Sequence, residues 1–396
     1  MGIYGEMQKT FHLQNPNFAL SPEKDWICYY GREDIERSLS SIIWKSLKAS
    51  ITPKIVVLGD WGWGKTQTLY HFYYTLLMQY ATPVFVECPE FSSKTGFLDF
   101  FNLLMNKISK EDIVRIVRNV AARKRNFDMV KERDLRHLCQ NVLAIASGDT
   151  LNIAWNWLTG EYIKDPTKID VSTNQISVTT ATNILETIGE FFLTIEGKPL
   201  IFCIDEAHRL KNIPADSDYE RPFIQALRKT TMKNYSVGFI YAIGAHDEKD
   251  IPHMFVEAEV KDRIGDYFIT IPALDETSMK KMILGIIKYV RDGYNFENHK
   301  ANEPEEEIKN SISILKKKKY DVDLDTYPFT VGAIDQIMIY FDAEDMVNKR
   351  TPRDVCDILN DCGTEEEALK IGVIDENVVS KVAAERKLRE RPSIEA

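Results

Sequence analysis

Residues 54–66 read Lys-Ile-Val-Val-Leu-Gly-Asp-Trp-Gly-Trp-Gly-Lys-Thr, which sets Gly59, Gly64, Lys65 and Thr66 at the spacing G-x-x-x-x-G-K-T directly behind an apolar run. That order suits phosphate. Backbone N–H groups freed by Gly59, Gly62 and Gly64 can wrap a β-phosphate at the positive end of a following helix, which the sequence predicts from Thr68 through Gln79. Lys65 would reach the β/γ-phosphates and the Thr66 hydroxyl would ligate Mg²⁺. Asp60, Trp61 and Trp63 fill the remaining loop positions and Gln67 follows them, so 59–67 is the expected ATP-binding segment.

A second cluster closes the apolar run Leu200-Ile201-Phe202-Cys203-Ile204 with Asp205-Glu206-Ala207-His208. A strand lying beside the phosphate-loop strand would bring Asp205 to Mg²⁺. Glu206, one residue on, would face the γ-phosphate and polarise a water for attack. Two arginines complete the set. Arg263, in Val260-Lys261-Asp262-Arg263-Ile264-Gly265, can project into the nucleotide of a neighbouring subunit, and Arg353, behind Thr351-Pro352, can fold back onto the γ-phosphate. After the apolar run Val237–Ile243 come His246 and Asp247, where a γ-phosphate sensor would ordinarily be Asn, Ser or Thr.

The elements that must position these groups alternate. Strands are expected at Ile55–Leu58, Val84–Glu87, Leu200–Asp205, Val237–Ile243 and Phe268–Ile271, with helices between them. This is an α/β fold with a parallel sheet flanked by helices. The gap between the second and third strands is far longer than an ordinary crossover and predicts a helical insertion over about 97–190. Residues 1–30 read as irregular, and Gly31-Arg32-Glu33-Asp34 opens an amphipathic helix with Ile35, Leu39, Ile42 and Ile43 on one face. From Leu274 the pattern is helical, broken over 295–327 by a polar stretch that reads as a mobile surface insertion. The expected domains are therefore an N-terminal arm with a nucleotide-covering helix (1–50), an ATPase core (51–272) and a helical lid (273–396).

Composition narrows the partners. A net charge of −10 argues against general coating of DNA or anionic membrane. The sizeable basic stretch, 107–136, holds ten Lys/Arg against five acidic residues and reads first as a solvated helix face, with a DNA-facing patch as the alternative. Trp155 and Trp157 read as packing residues. Six cysteines without metal spacing, no leader pattern and no long apolar run point to a cytoplasmic protein without a membrane partner.

Together these residues resemble the AAA+ ATPases, within them the initiator-like branch that includes origin-recognition/Cdc6 proteins, transposon target-selection ATPases and ExeA-type secretion ATPases. The likeness rests on Tyr-Gly-Arg-Glu at 30–33, the phosphate loop at 59–66, Ile-Asp-Glu-Ala-His-Arg-Leu at 204–210, Asp-Arg-Ile at 262–264, Ile-Pro-Ala-Leu at 271–274 and Thr-Pro-Arg-Asp-Val at 351–355. Trp-Leu-Thr-Gly at 157–160 is similar, more loosely, to P-loop ATPases of phage-defence islands. The resemblance implies ATP and Mg²⁺ as ligands, Glu206 as catalytic base, Arg263 as a finger acting in trans and Arg353 as a lid sensor. It also implies a homo-oligomeric ring or filament that works on double-stranded DNA or on a protein partner. The alternative is a nucleotide-gated switch in antiphage defence whose effector chemistry lies elsewhere. Asp205-Glu206-Ala207-His208 alone does not make a helicase, because a second RecA-like domain is absent.

Overall fold

The computed structural model describes residues 2–15, 17–49, 51–122, 127, 130–232, 236–246, 248–264, 268–295, 300–302, 306–343, 346 and 349–390. Five apolar segments form one parallel sheet: β1 Lys54–Gly59, β2 Thr82–Glu87, β3 Leu200–Asp205, β4 Val237–Gly244 and β5 Phe268–Thr270, in the order β2-β3-β4-β1-β5. The three central strands are buried on both faces, which is why β3 and β4 read as unbroken apolar runs; the edge strand β2 alternates. The five expected strands are all present. One expectation fails: β3 does not lie beside β1, because β4 pairs with both. The apolar runs specify strands, but their lateral order is fixed by crossover packing that a linear pattern does not carry.

The long crossover between β2 and β3 is helical, as expected, with helices at Phe97–Lys107, Lys110–Ala122, Gly148–Leu158 and Val178–Glu196 among others. Trp157 is buried there, its Nε1 donating to Thr173 O at 3.0 Å, and Trp155 packs at the core margin. Helix Val178–Glu196 starts on Ser177, whose Oγ accepts from Thr180 N, and ends at Gly197 in the left-handed region, the ordinary device for stopping a helix. The helix after the phosphate loop begins at Lys65, three residues earlier than the periodicity indicates, because the loop residues form its first turn; Tyr73–Leu77 then widens into a π-helical turn.

The chain divides into two compact units. One comprises Arg37–Trp61 and Leu69–Ile271 and holds the sheet; the other comprises Met1–Glu36, Gly62–Thr68 and Pro272–Ala396. In the second unit the N-terminal segment is irregular only in part: Ile3–Thr10 is a helix, the described residues from 11 to 30 are turns and coil, and Met7, Phe11, Leu13 and Phe18 are buried with Ile283, Ile287, Ile337 and Leu359. Helices Glu276–Asp292, Val331–Asp342, Pro352–Thr364, Glu366–Ile371 and Glu376–Glu390 make up the rest, several of them capped: Asp275, Thr330 and Thr351 each accept a backbone N–H from three residues on.

Of the polar stretch expected as an insertion over 295–327, residues 306–327 carry a helix and a small core, and 296–299 and 303–305 lie outside the described residues. Glu306–Lys317 is a helix whose Ile308, Ile312 and Leu315 form a small core with Val322, Tyr327 and Val373. A buried ion pair holds it: Arg291 Nε meets Asp292 Oδ1 at 2.5 Å and Nη2 meets Oδ2 at 2.6 Å, while Nη1 donates to Leu324 O. Widely spaced apolar residues were hidden among the charges. Among the described residues no helix is long and apolar enough to cross a membrane.

Candidate nucleotide site

The phosphate loop leaves β1 at Gly59, which pairs with Gly244 of β4; Ala245 N donates back to Gly59 O at 3.1 Å. Asp60 is fixed by its own neighbours. Its Oδ1 accepts from Trp61 N at 2.7 Å, and its Oδ2 lies 2.8 Å from His246 Nδ1. The sensor position after β4 is thus held by a histidine tied to the loop's first acidic residue, and Asp247 lies outside the described residues. Gly62 (φ +78°) and Gly64 (φ +90°) adopt left-handed backbone that side chains with a Cβ rarely take, which is what turns successive N–H groups inward.

Within the unit that holds Gly62–Thr68, the loop is closely supported. A Cβ added at Gly62 would stand 3.1 Å from Thr351 Oγ1 and 3.7 Å from Arg353 Cβ, and one at Gly64 would stand 3.4 Å from Pro352. The first turn of helix Pro352–Thr364 therefore packs directly on the loop, and it is the positive φ that favours glycine at both positions, with tight space added at Gly62. Arg353 itself is exposed and makes no hydrogen bond or ion pair with any described residue. Its charge acts on the Asp357 carboxylate one turn on in the same helix, and an exposed guanidinium beside a phosphate cradle can still take an anion at little desolvation cost.

Three further groups fix the loop and were not singled out from the sequence. Arg32, buried, donates through Nη1 to Pro272 O at 2.6 Å and through Nη2 to Trp63 O at 3.2 Å, and burial pushes its guanidinium below the ordinary value. Tyr29 OH lies 2.9 Å from Thr68 Oγ1, which in turn donates to Gly64 O at 2.9 Å; burial pushes the Tyr29 phenol up to about 12. Asp25 O accepts from Gln67 Nε2 at 2.7 Å. The signal for Arg32 was its place after Gly31, whose φ of +69° and close approach to Ser278 O admit no side chain. Lys65 is buried at the head of its helix, Thr66 is half-buried, and Trp63 contributes its carbonyl while its ring is half-buried.

At the end of β3, Asp205 is buried and its Oδ1 accepts from Glu206 N at 2.9 Å. Glu206 stands in the left-handed region at φ +56°, a strained setting for a residue with a Cβ and one that clusters at functional sites. Its carboxylate is flanked by two basic side chains of the next turn, Oε2 lying 3.6 Å from His208 Nε2 and 3.6 Å from Arg209 Nη2. His208 also meets the edge of the exposed Trp61 ring, with centroids 4.7 Å apart, and a Cβ at Gly244 would come within 3.2 Å of its Nδ1. Trp61 therefore does not seal the core; it lies over the histidine of the Asp-Glu-Ala-His turn.

The donors suit magnesium. A threonine hydroxyl and one carboxylate are hard oxygen ligands of the kind Mg²⁺ takes alongside substrate phosphates. Among the described residues no group of three or more His, Cys, Asp or Glu side chains could hold a metal by itself. Arg263 is exposed on helix Ala258–Ile264, where its Nη1 donates to Arg228 O of the same chain. Gly265 lies outside the described residues.

No protein-family model matches the chain, and no curated protein matches it. Solved structures do. The ADP form of the ORC2 protein of Aeropyrum pernix is 12% identical with a TM-score of 0.50, covering 94% of this chain and 73% of that one. Cdc6p from Pyrobaculum aerophilum is 13% identical with a TM-score of 0.44, covering 91% and 70%. The Aeropyrum pernix ORC1 protein in complex with DNA is 12% identical with a TM-score of 0.41, covering 92% and 69%. At such identities the likeness concerns the fold alone, and the first of these carries it: the chain shares the fold of that ORC2 protein, with a parallel sheet and a helical C-terminal region.

Proposed function

We propose that this chain is a Mg²⁺-dependent ATPase whose cycle of ATP binding and hydrolysis drives or resets an oligomeric assembly acting on DNA or on a partner protein. The observation that carries the reading is the phosphate loop itself. Two left-handed glycines lead into a helix that begins at Lys65, Arg32 fixes the loop's carbonyl at Trp63, and the exposed Arg353 stands on the turn packed against Gly62. In this reading backbone N–H groups of 59–66 and the Lys65 ammonium bind the phosphates. Thr66 and Asp205 hold the metal, which when bound neutralises charge on the β- and γ-phosphates. Glu206 orients a water and takes its proton as the water's oxygen attacks the γ-phosphorus in line and ADP leaves with the electrons of the broken P–O bond. Arg353 answers the charge on the γ-phosphate oxygens, and Arg263 serves the same purpose on a neighbouring subunit's nucleotide.

The test is ATP turnover by the purified protein with and without double-stranded DNA, alongside mass determination with ATP or a nonhydrolysable analogue. Glu206→Gln is expected to bind ATP normally and lose about two to four orders of magnitude in turnover, and Lys65→Ala to lose binding as well. Wild-type turnover by Glu206→Gln overturns the base assignment. Slow turnover indifferent to DNA in a protein that binds ATP favours the nucleotide-gated switch over the DNA-acting assembly.

A further inference from the structure

In the basic stretch that stands out in the sequence, 107–136, four of the seven described Lys/Arg are spent on the protein's own contacts, while Lys107, Lys131 and Arg133 are exposed and make no side-chain hydrogen bond or ion pair with a described residue. Arg115 pairs with Asp112 and Glu196, Lys110 donates to Asn152 Oδ1, and Arg118 and Arg136 donate to Ala146 O and Val130 O. Arg123, Lys124 and Arg125 lie outside the described residues. The denser run is Lys316, Lys317, Lys318 and Lys319, four consecutive residues. All four are exposed, and none makes a side-chain hydrogen bond or ion pair with a described residue. Of the carboxylates that follow in the sequence, Asp323 is engaged by its own turn, its Oδ1 accepting the N–H groups of Asp325 and Thr326.

We propose that the end of helix Glu306–Lys317 and the turn after it form a surface for the phosphodiester backbone of nucleic acid, read by charge and not by sequence. Four ammonium groups on consecutive residues repel one another, and a polyanion relieves that repulsion. Lysine is suited to this use because it meets a phosphate as a point charge without the fork geometry that base reading exploits. Complementing the helix dipole accounts for at most part of the run. Lys316 and Lys317 sit in the last helical turn, whereas Lys318 and Lys319 lie beyond it, Lys319 at φ +68°.

The surface is built on a firm base. The helix's other face is buried with Val322, Tyr327 and Val373, and the Arg291–Asp292 pair ties the following loop at Leu324 O. Binding would then order lysine side chains only, not a segment of backbone.

The experiment uses the full chain without nucleotide, so that its outcome is independent of ATP turnover. Affinity for a labelled mixed-sequence DNA duplex, and for an RNA duplex of the same length, is measured between about 50 and 200 mM salt. Each phosphate contact contributes about 0.9 to the slope of log K against log salt. The fourfold variant Lys316→Gln, Lys317→Gln, Lys318→Gln, Lys319→Gln is expected to lose about two to four from that slope, with both duplexes affected alike. Its thermal midpoint should not move, since exposed unpaired side chains contribute little to stability. A control, Lys107→Gln with Lys131→Gln and Arg133→Gln, should keep the wild-type slope. The proposal is overturned if the wild type does not bind at low salt, if the fourfold variant keeps its slope, or if the control carries the loss. It is likewise overturned if poly-glutamate competes as well as DNA at equal charge, which would assign the surface to an acidic protein.

Discussion

Replacing Arg32 with methionine separates the support of the phosphate loop from its chemistry. The side chain of Met approaches the length of arginine without the guanidinium, so packing is largely kept while two bonds disappear: Nη1 to Pro272 O at 2.6 Å and Nη2 to Trp63 O at 3.2 Å. A hydrogen bond from a charged donor contributes about 1.5–3 kcal/mol, the longer bond falling at the low end. Part of the sum returns, because the guanidinium no longer has to be held away from water, the same burial that lowers its pKa. The expected net loss of folding stability is about 2–4 kcal/mol. Only the Trp63 contact bears on the loop, and its about 1.5 kcal/mol corresponds to roughly tenfold weaker nucleotide binding. Calorimetric titration with ADP and with ATP, beside a denaturant midpoint, measures the two effects separately. A lowered midpoint with unchanged nucleotide affinity would refute the claim that Arg32 sets the loop. Arg32→Lys, which can satisfy one carbonyl at a time, should fall between.

If Arg263 acts in trans, Arg263→Ala binds nucleotide yet turns over slowly, and mixing it with Glu206→Gln subunits restores part of the activity at interfaces that regain both groups. Absence of rescue in a turnover assay of the mixture counts against the trans role. At the Arg291–Asp292 pair, Arg291→Met leaves a fully buried carboxylate uncompensated and should cost about 3–5 kcal/mol in denaturant unfolding, whereas Arg291→Met combined with Asp292→Leu should recover a good part. Equal losses in the single and double variants would refute that account.

Much of the fold was legible because parallel strands buried on both faces must be written as short apolar runs, and β1, β3 and β4 have no alternative reading. The phosphate loop and the Asp205-Glu206 pair were legible because they are local: each is written in neighbouring residues. What stayed hidden is non-local. That β4 separates β1 from β3 depends on crossovers, and the grip of Arg32 on Trp63 O joins segments far apart in the chain. The 295–327 stretch was misread because Ile308, Ile312 and Leu315 are a thin apolar stripe in a charged background, and the partner that buries them, Val373, lies well downstream. The net sign of a segment likewise misleads about its availability, since Arg115 and Arg118 are charged but engaged.

The unit that packs the N-terminal helix is assembled from three stretches of chain, Met1–Glu36, Gly62–Thr68 and Pro272–Ala396. During synthesis Met7, Phe11 and Phe18 leave the ribosome first, while Ile337, Leu359 and Val379, which cover them, come last. At about 5–20 residues per second the wait is of the order of 20 s to more than a minute. Over that interval the sheet unit can close on itself while the arm keeps its apolar side chains uncovered, exposed to aggregation or in need of a chaperone. Completion of the phosphate loop's supports is in this sense a late event: Arg32 finds Pro272 O only after the whole sheet has been made.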